Sequence, residues 1–364
     1  MKVEILIYAY LAVCAAMTGF NIACIFLFRR NDRKLYERCG DYADVIRKQM
    51  HKDAIDEAHR SFLLKSLVHV KGLLAFERSL DILNREDSAA LERYLGQLVP
   101  VFARLTLEYS RKNEVQAAYF PYLISRYGFF KGQDIPSIND VLFALLHSSG
   151  IYSRENALAA FYSIGNAAHV AQALAIVDRS GYYHHKKLIT DGLMTFQGDC
   201  RELQEMLWAR LDVYSVAMQT AILDYLRFST GAFCERMLGL LSDHYDSEIN
   251  FCAIRYFGKY RYEPAYPALL GYLEHEDSAR WEYAAIAAFS LAAYPSEQTV
   301  RALKAKLNSR SWFVRFNASQ SLDKLGMEYV DVVDVFESND RYAGEMMRYR
   351  LEQKKLRERE LRHP

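Results

Sequence analysis

Three stretches of this 364-residue chain carry side chains suited to chemistry. The first is His275-Glu276, an imidazole beside a carboxylate, the kind of pair that ligates transition metals. A dinuclear site needs several such ligands converging. No other segment supplies a second pair, so the dyad is read as a polar turn between helices. The second is Tyr182-Tyr183-His184-His185-Lys186-Lys187. Neighbouring helical residues point about 100° apart, so His184 and His185 cannot easily close on one ion. That stretch is read as an exposed helix start. The third is Arg255-Tyr256-Phe257-Gly258-Lys259-Tyr260-Arg261-Tyr262, where cations alternate with rings able to stack on bases or sugars. It falls where one helix ends and the next begins, so several of its rings are expected in the core. Walker, GxGxxG, GxSxG and HExxH motifs are missing. No catalytic residue, metal or cofactor is assigned on this pattern, and the chain is read as a non-enzyme.

The charge balance supports that restraint. Lys and Arg total 46 against 45 Asp and Glu, and the net charge of +1 gives no basic groove for nucleic acid. Apolar residues make up 51% of the chain, ample for a packed core, and only 7 Pro and 17 Gly favour helices over turn-rich sheets. The six cysteines are scattered without a CxxC, which reads as reduced thiols rather than a disulfide framework or zinc site.

The elements that would position any site begin with a membrane segment. Residues 5–28 contain no charge. As a helix they span roughly 36 Å, enough to cross a bilayer with some tilt. The run is too long for a signal peptide and ends in Phe26-Leu27-Phe28 before Arg29-Arg30, so it is read as a retained single-pass anchor. Arg29, Arg30, Arg33 and Lys34 follow it, and the positive-inside rule places the C-terminal body in the cytosol and the N-terminus outside. In a bacterium the membrane would be the inner one. Asn21 and the small Ala15, Ala16 and Gly19 would let the span pair with another helix.

Residues 29–60 read as a juxtamembrane helix or linker with a thin apolar stripe at Leu35, Tyr42, Val45, Ile46 and Met50. Beyond it the chain repeats. RENALAAFYSIG (154–165) and RFNASQSLDKLG (315–326) share the frame R-x-N-A-x7-G. Weaker copies keep the spacing at Lys187, Thr190 and Gly198, and at Ser247, Asn250 and Gly258. Another carries Trp281 in the Arg position and Ala284 in the Ala position. Ala284 and Ala318 are 34 residues apart, as are Leu273 and Leu307. Each unit reads as a helix, a short polar turn such as Asn308-Ser309-Arg310-Ser311, and a second helix with a small inner residue and a terminal Gly. Pro121 is expected to interrupt one early second helix.

This pattern resembles the HEAT-repeat family, in particular its short bacterial units, on Ser311-Trp312-Phe313-Val314-Arg315 through Ala318, Leu322, Leu325 and Gly326. Glu276-Asp277-Ser278 before Trp281 looks like a sister copy. The resemblance implies an all-α fold. An α-solenoid of about six or seven helix pairs over residues 61–340 would follow the anchor (1–28) and linker (29–60), and a charged capping helix and tail (341–364) would close it. It implies that Arg154 and Arg315 pair with a carboxylate of the neighbouring turn. It also raises two enzymatic alternatives, a metal-dependent hydroxylase, for which His275-Glu276 is a solitary dyad, and a chromophore lyase; a peptide- or ligand-binding sensor is a third. Solenoids of this kind mostly serve as binding surfaces, so the expected function is a membrane-anchored scaffold or adaptor for a protein partner, itself membrane-associated. Trp281 and Trp312 are the expected hot-spot residues, with Arg315 and Arg154 as further partner-binding candidates.

Overall fold

The computed structural model describes residues 2–275, 280–337 and 340–362. They form an all-helical chain, with twenty α-helices and no strand among the described residues. The chain divides into two compact units, one made of residues up to Tyr182 with Phe196–Leu203, the other of Tyr183–Thr195 with the residues from Gln204 on.

The first unit holds α1 (Lys2–Arg47), α2 (Glu57–Leu67), α3 (Val70–Glu86), α4 (Ser88–Gln97), α5 (Val99–Ser110), α6 (Glu114–Tyr127), α7 (Pro136–Leu146), α8 (Ile151–Ile164) and α9 (Ala167–Arg179). The apolar run and the charged stretch after it are one helix. No proline breaks α1, and Thr18 Oγ1 satisfies itself on the Cys14 carbonyl at 2.8 Å. The apolar half is exposed to its surroundings, with Tyr8, Phe20, Phe26 and Phe28 uncovered. The charged half docks. Cys39, Tyr42, Ala43 and Ile46 recur at helical spacing, are buried, and pack α1 on α3. The Tyr42 ring meets Phe76 edge-on at 6.2 Å, Phe76 lies 5.9 Å from Phe102, and Phe102 stacks on Phe129 at 3.9 Å. The thin stripe is therefore the first layer of an aromatic core.

His59 belongs to the same core. It is buried, and its Nε2 lies 2.6 Å from the Tyr94 hydroxyl. Burial pushes its imidazole pKa below the usual value near 6.5, against a smaller opposing pull from Asp56. A depressed histidine leaves the folded state with fewer bound protons than the unfolded chain as pH falls through about 6.5, so stability is full above that pH and declines below it. The melting temperature of the first unit is expected to fall between pH 7 and pH 5. H59Q, which keeps a hydrogen-bonding partner for Tyr94 but cannot titrate, should flatten that slope. An unchanged slope would rule His59 out as its source.

Pro121 does not interrupt its helix. It lies buried in the interior of α6, which runs unbroken from Glu114 to Tyr127. Proline removes the N–H that would serve the Ala117 carbonyl, while Asn156 of α8 ties the same turn to its neighbour by donating to the next carbonyl, that of Ala118, at 2.9 Å. Tertiary packing of α6 on α8 overrides the local penalty.

The second unit holds α10 (Lys186–Leu193), the end of α11 (Cys200–Ala209), α12 (Val216–Ser229), α13 (Cys234–Gly239), α14 (Ser247–Lys259), α15 (Tyr266–Glu274), α16 (Trp281–Ser290), α17 (Glu297–Lys306), α18 (Trp312–Lys324), α19 (Val333–Phe336) and α20 (Arg341–Arg362). Here α10, α12, α14, α16, α18 and α20 pack each on the next, while α13, α15, α17 and α19 each pair with the helix that follows them. Starts are marked by side-chain caps: Ser215 accepts from the Met218 amide and Ser296 from that of Thr299. The opening of α20 covers α18 through buried Ala343, Met347 and Leu351.

The repeat frame has a physical counterpart in both units. Its inner positions are all buried: Ala157, Asn250, Ala284 and Ala318 in the second helix of a pair, and Thr190 in α10. Side chains at or near these positions reach a main-chain carbonyl of the helix packed alongside. Thr190 Oγ1 bonds Ala221 at 2.9 Å, Asn317 bonds Ala285 at 2.8 Å and Ser321 bonds Ala288 at 2.7 Å. These rungs repeat the Asn156–Ala118 bond. The frame glycines serve two ends. Gly165 and Gly326 take left-handed φ angles of 84° and 83°, as the expected helix stops require. Gly258 instead sits inside α14, where a Cβ would come within 2.9 Å of the Ser290 Cα; bare backbone there lets α14 and α16 approach.

Candidate functional site

An exposed aromatic cluster is built at the starts of α16 and α18. Ser311 ends the preceding turn, and α18 opens with Trp312, Phe313 and, one turn on, Phe316. On a helix, residues four apart share a face. Trp312 therefore stacks on Phe316 at 4.8 Å and 25°, and meets Phe313 edge-on at 5.2 Å. Phe313 turns the other way and stacks on Trp281 of α16 at 5.1 Å and 16°. Trp281 is half-buried against Ala284, Ala285 and Val314, whose small volume leaves room for its ring. Trp312 and Phe313 remain 49% and 53% exposed.

Cations frame the rings. The Arg350 guanidinium of α20 lies 4.2 Å over Phe316, and that of Arg315 lies 5.6 Å from the centre of the exposed Tyr342 ring. Arg350 is itself buried, with Nε and Nη2 lacking hydrogen-bond partners among the described residues, so the ring face is part of what holds its charge. The arrangement is a preorganised aromatic surface with fixed cations at one side. Such a surface offers apolar area at little entropic cost.

The residues singled out by sequence divide accordingly. Trp281, Trp312 and Arg315 meet at this cluster. Arg154 lies in the first unit at 3% exposure, beneath the Tyr182 ring at 4.4 Å, and its Nη1 donates to the carbonyls of Ser148 at 2.7 Å and Ser149 at 2.8 Å. Arg315 makes the matching bond to the Ser309 carbonyl at 2.7 Å. In both, the guanidinium closes the turn six residues back through main-chain oxygens. At the Arg154 turn the carboxylate of Glu114 accepts from the Ser148 hydroxyl and the Gly150 amide, and these bonds, with the nearby Arg154 charge, hold it below the usual carboxylate range. Arg154 thus helps build the frame rather than present a surface. Sequence reasoning missed Phe313, Phe316, Arg350 and Tyr342; the spacing of Trp312 and Phe316 on one helix was the available signal.

The other candidate stretches resolve into structure. His185 caps α10, its Nδ1 accepting from the Lys187 amide at 3.2 Å. Tyr256 and Phe257 are buried in α14. Glu276 of the His275-Glu276 dyad lies outside the described residues, as do Asp277 and Ser278; His275 Nδ1 lies 3.1 Å from the Gly271 carbonyl. Among the described residues no cluster of three or more His, Cys, Asp or Glu has the geometry to hold a metal. Arg29, Arg30, Arg33 and Lys34 are all exposed along α1.

Compared with protein-family models and with curated proteins, the chain matches none. Fold and site define a class: an all-helical protein whose N-terminal helix is long and apolar enough to cross a membrane, with an exposed aromatic cluster on its C-terminal helices.

Proposed function

We propose that the chain is a membrane-anchored scaffold that captures a protein partner through the Trp281–Trp312 surface. In this reading residues 5–28 span the bilayer, the basic collar at Arg29, Arg30, Arg33 and Lys34 keeps the body in the cytosol, and the helix pairs stack as a HEAT-type α-solenoid. The partner is itself membrane-associated, because tethering raises its effective concentration only if it shares the membrane. The observation that carries the reading is the exposure of Trp312 and Phe313 on rings already locked by stacking. Large uncovered aromatics of this kind are over-represented among hot spots.

The test is capture by full-length protein in detergent, with W312A and W281A beside the native chain. W312A is expected to lose partner recovery about thirtyfold, as for a hot-spot residue worth about 2 kcal/mol, while melting like the native protein. W281A should lose recovery too, with a lower melting temperature because its ring also packs on Ala284, Ala285 and Val314. Equal recovery by all three chains would remove the aromatic surface from the proposal.

A further inference from the structure

A cavity of about 840 Å³ opens in the first unit, where α1 leaves its apolar stretch and meets the α2–α3 turn. Its walls come from Arg38, Asp41, Tyr42 and Val45 of α1, Phe62 and Ser66 of α2, and His69–Gly72 at the start of α3. Two cations line it, Arg38 and Lys71. Both are exposed, and among the described residues neither forms an ion pair. Asp41 is the one carboxylate on the wall, so the lining is net positive even with His69 neutral. Phe62, Val45 and Val70 supply an apolar side, and the Phe62 ring stays 43% exposed. A concave site with two uncommitted cations and one apolar wall is suited to an amphiphilic anion.

Position selects which anion. Because α1 is one unbroken helix, Arg38 stands about 15 Å beyond Phe28, or about 12 Å if the span tilts to fit a 30 Å hydrocarbon core. The polar headgroup layer occupies about 5–8 Å of that distance. The reach of the Arg38 and Lys71 side chains covers most of the remainder. We propose that this cavity binds the phosphate of an anionic phospholipid headgroup, held by Arg38 and Lys71 with the lipid's glycerol side against Phe62 and Val70. At the start of α3, whose N-cap His69 makes no side-chain cap, the Gly72 and Leu73 amides bond the His69 carbonyl, which leaves those of Val70 and Lys71 on the same wall. Bound lipid would fix the body's orientation against the membrane, which the four collar residues, all on one helix, do not do.

The proposal rests on α1 being a membrane anchor, and two readouts keep them apart. Carbonate-resistant pelleting with membranes reports the anchor alone, and R38Q/K71Q should pellet like the native chain. Lipid binding is read by native mass spectrometry of full-length protein in detergent, supplied with phosphatidylglycerol or phosphatidylcholine. The native chain is expected to retain one phosphatidylglycerol in preference to phosphatidylcholine, and R38Q/K71Q to lose that retention about tenfold or more. R29Q/R30Q should retain it. Circular dichroism melts confirm that the variants fold, which is expected because all four side chains are exposed. Equal retention by R38Q/K71Q overturns the proposal. So does displacement of the lipid by millimolar inorganic phosphate, which would make the site one for a soluble anion. Loss of pelleting in the native chain would instead sink the anchor.

Discussion

A chain shortened to residues 48–364 is expected to lose the cooperative melting of its first unit, whereas one shortened to 29–364 should melt like the full protein. The two truncations differ by the charged half of α1, which looks dispensable in sequence. In the fold it contributes Cys39, Tyr42, Ala43 and Ile46 to the interior, and Tyr42 is the end of the aromatic chain through Phe76 and Phe102. Burial of a large apolar side chain contributes about 1.5–3 kcal/mol, so the segment accounts for roughly 5 kcal/mol. That approaches the whole margin of a typical domain, about 5–15 kcal/mol. Arg47 also donates twice to Glu86, at 3.0 and 2.9 Å, but both partners are well exposed and the pair adds little. Thermal melts with limited proteolysis of the first unit read the result. Matching melts for both truncations would show that α1 is not part of the core. The 29–364 chain should also leave the membrane fraction, which separates anchoring from folding in one pair of truncated chains.

The second large effect concerns two arginines that the repeat frame makes equivalent. R154A is expected to cost roughly 2–4 kcal/mol, because two turn carbonyls lose their donor in a buried setting and the Tyr182 ring loses the group beneath it. R315A is expected to cost about 1 kcal/mol or less. Arg315 is only half-buried, its Nη1 serves the Ser309 carbonyl, and water can replace it there. Denaturant midpoints of the two variants provide the comparison, and equal losses would show that burial does not govern the difference. Arg154 and Arg315 were read alike in sequence because register records which residue recurs, not how deeply each copy is covered.

The same distinction runs through the molecule. Sequence by itself determined the apolar helix, the helical class, the repeat frame and its inner positions, because composition and periodicity are local properties. A small residue recurring after 34 positions, as at Ala284 and Ala318, already states which helix face lies inside. Tertiary structure decided what depends on neighbours distant in the chain. It carried α6 through Pro121, since packing on α8 outweighs one missing backbone bond. It turned the stripe around Tyr42 from the face of a juxtamembrane helix or linker into a core layer, because α3 supplies a complementary surface only in the folded state. It also buried Arg154 and left Trp312 uncovered. Exposure is a sum over all the chain that surrounds a residue, and no motif within one repeat contains that sum.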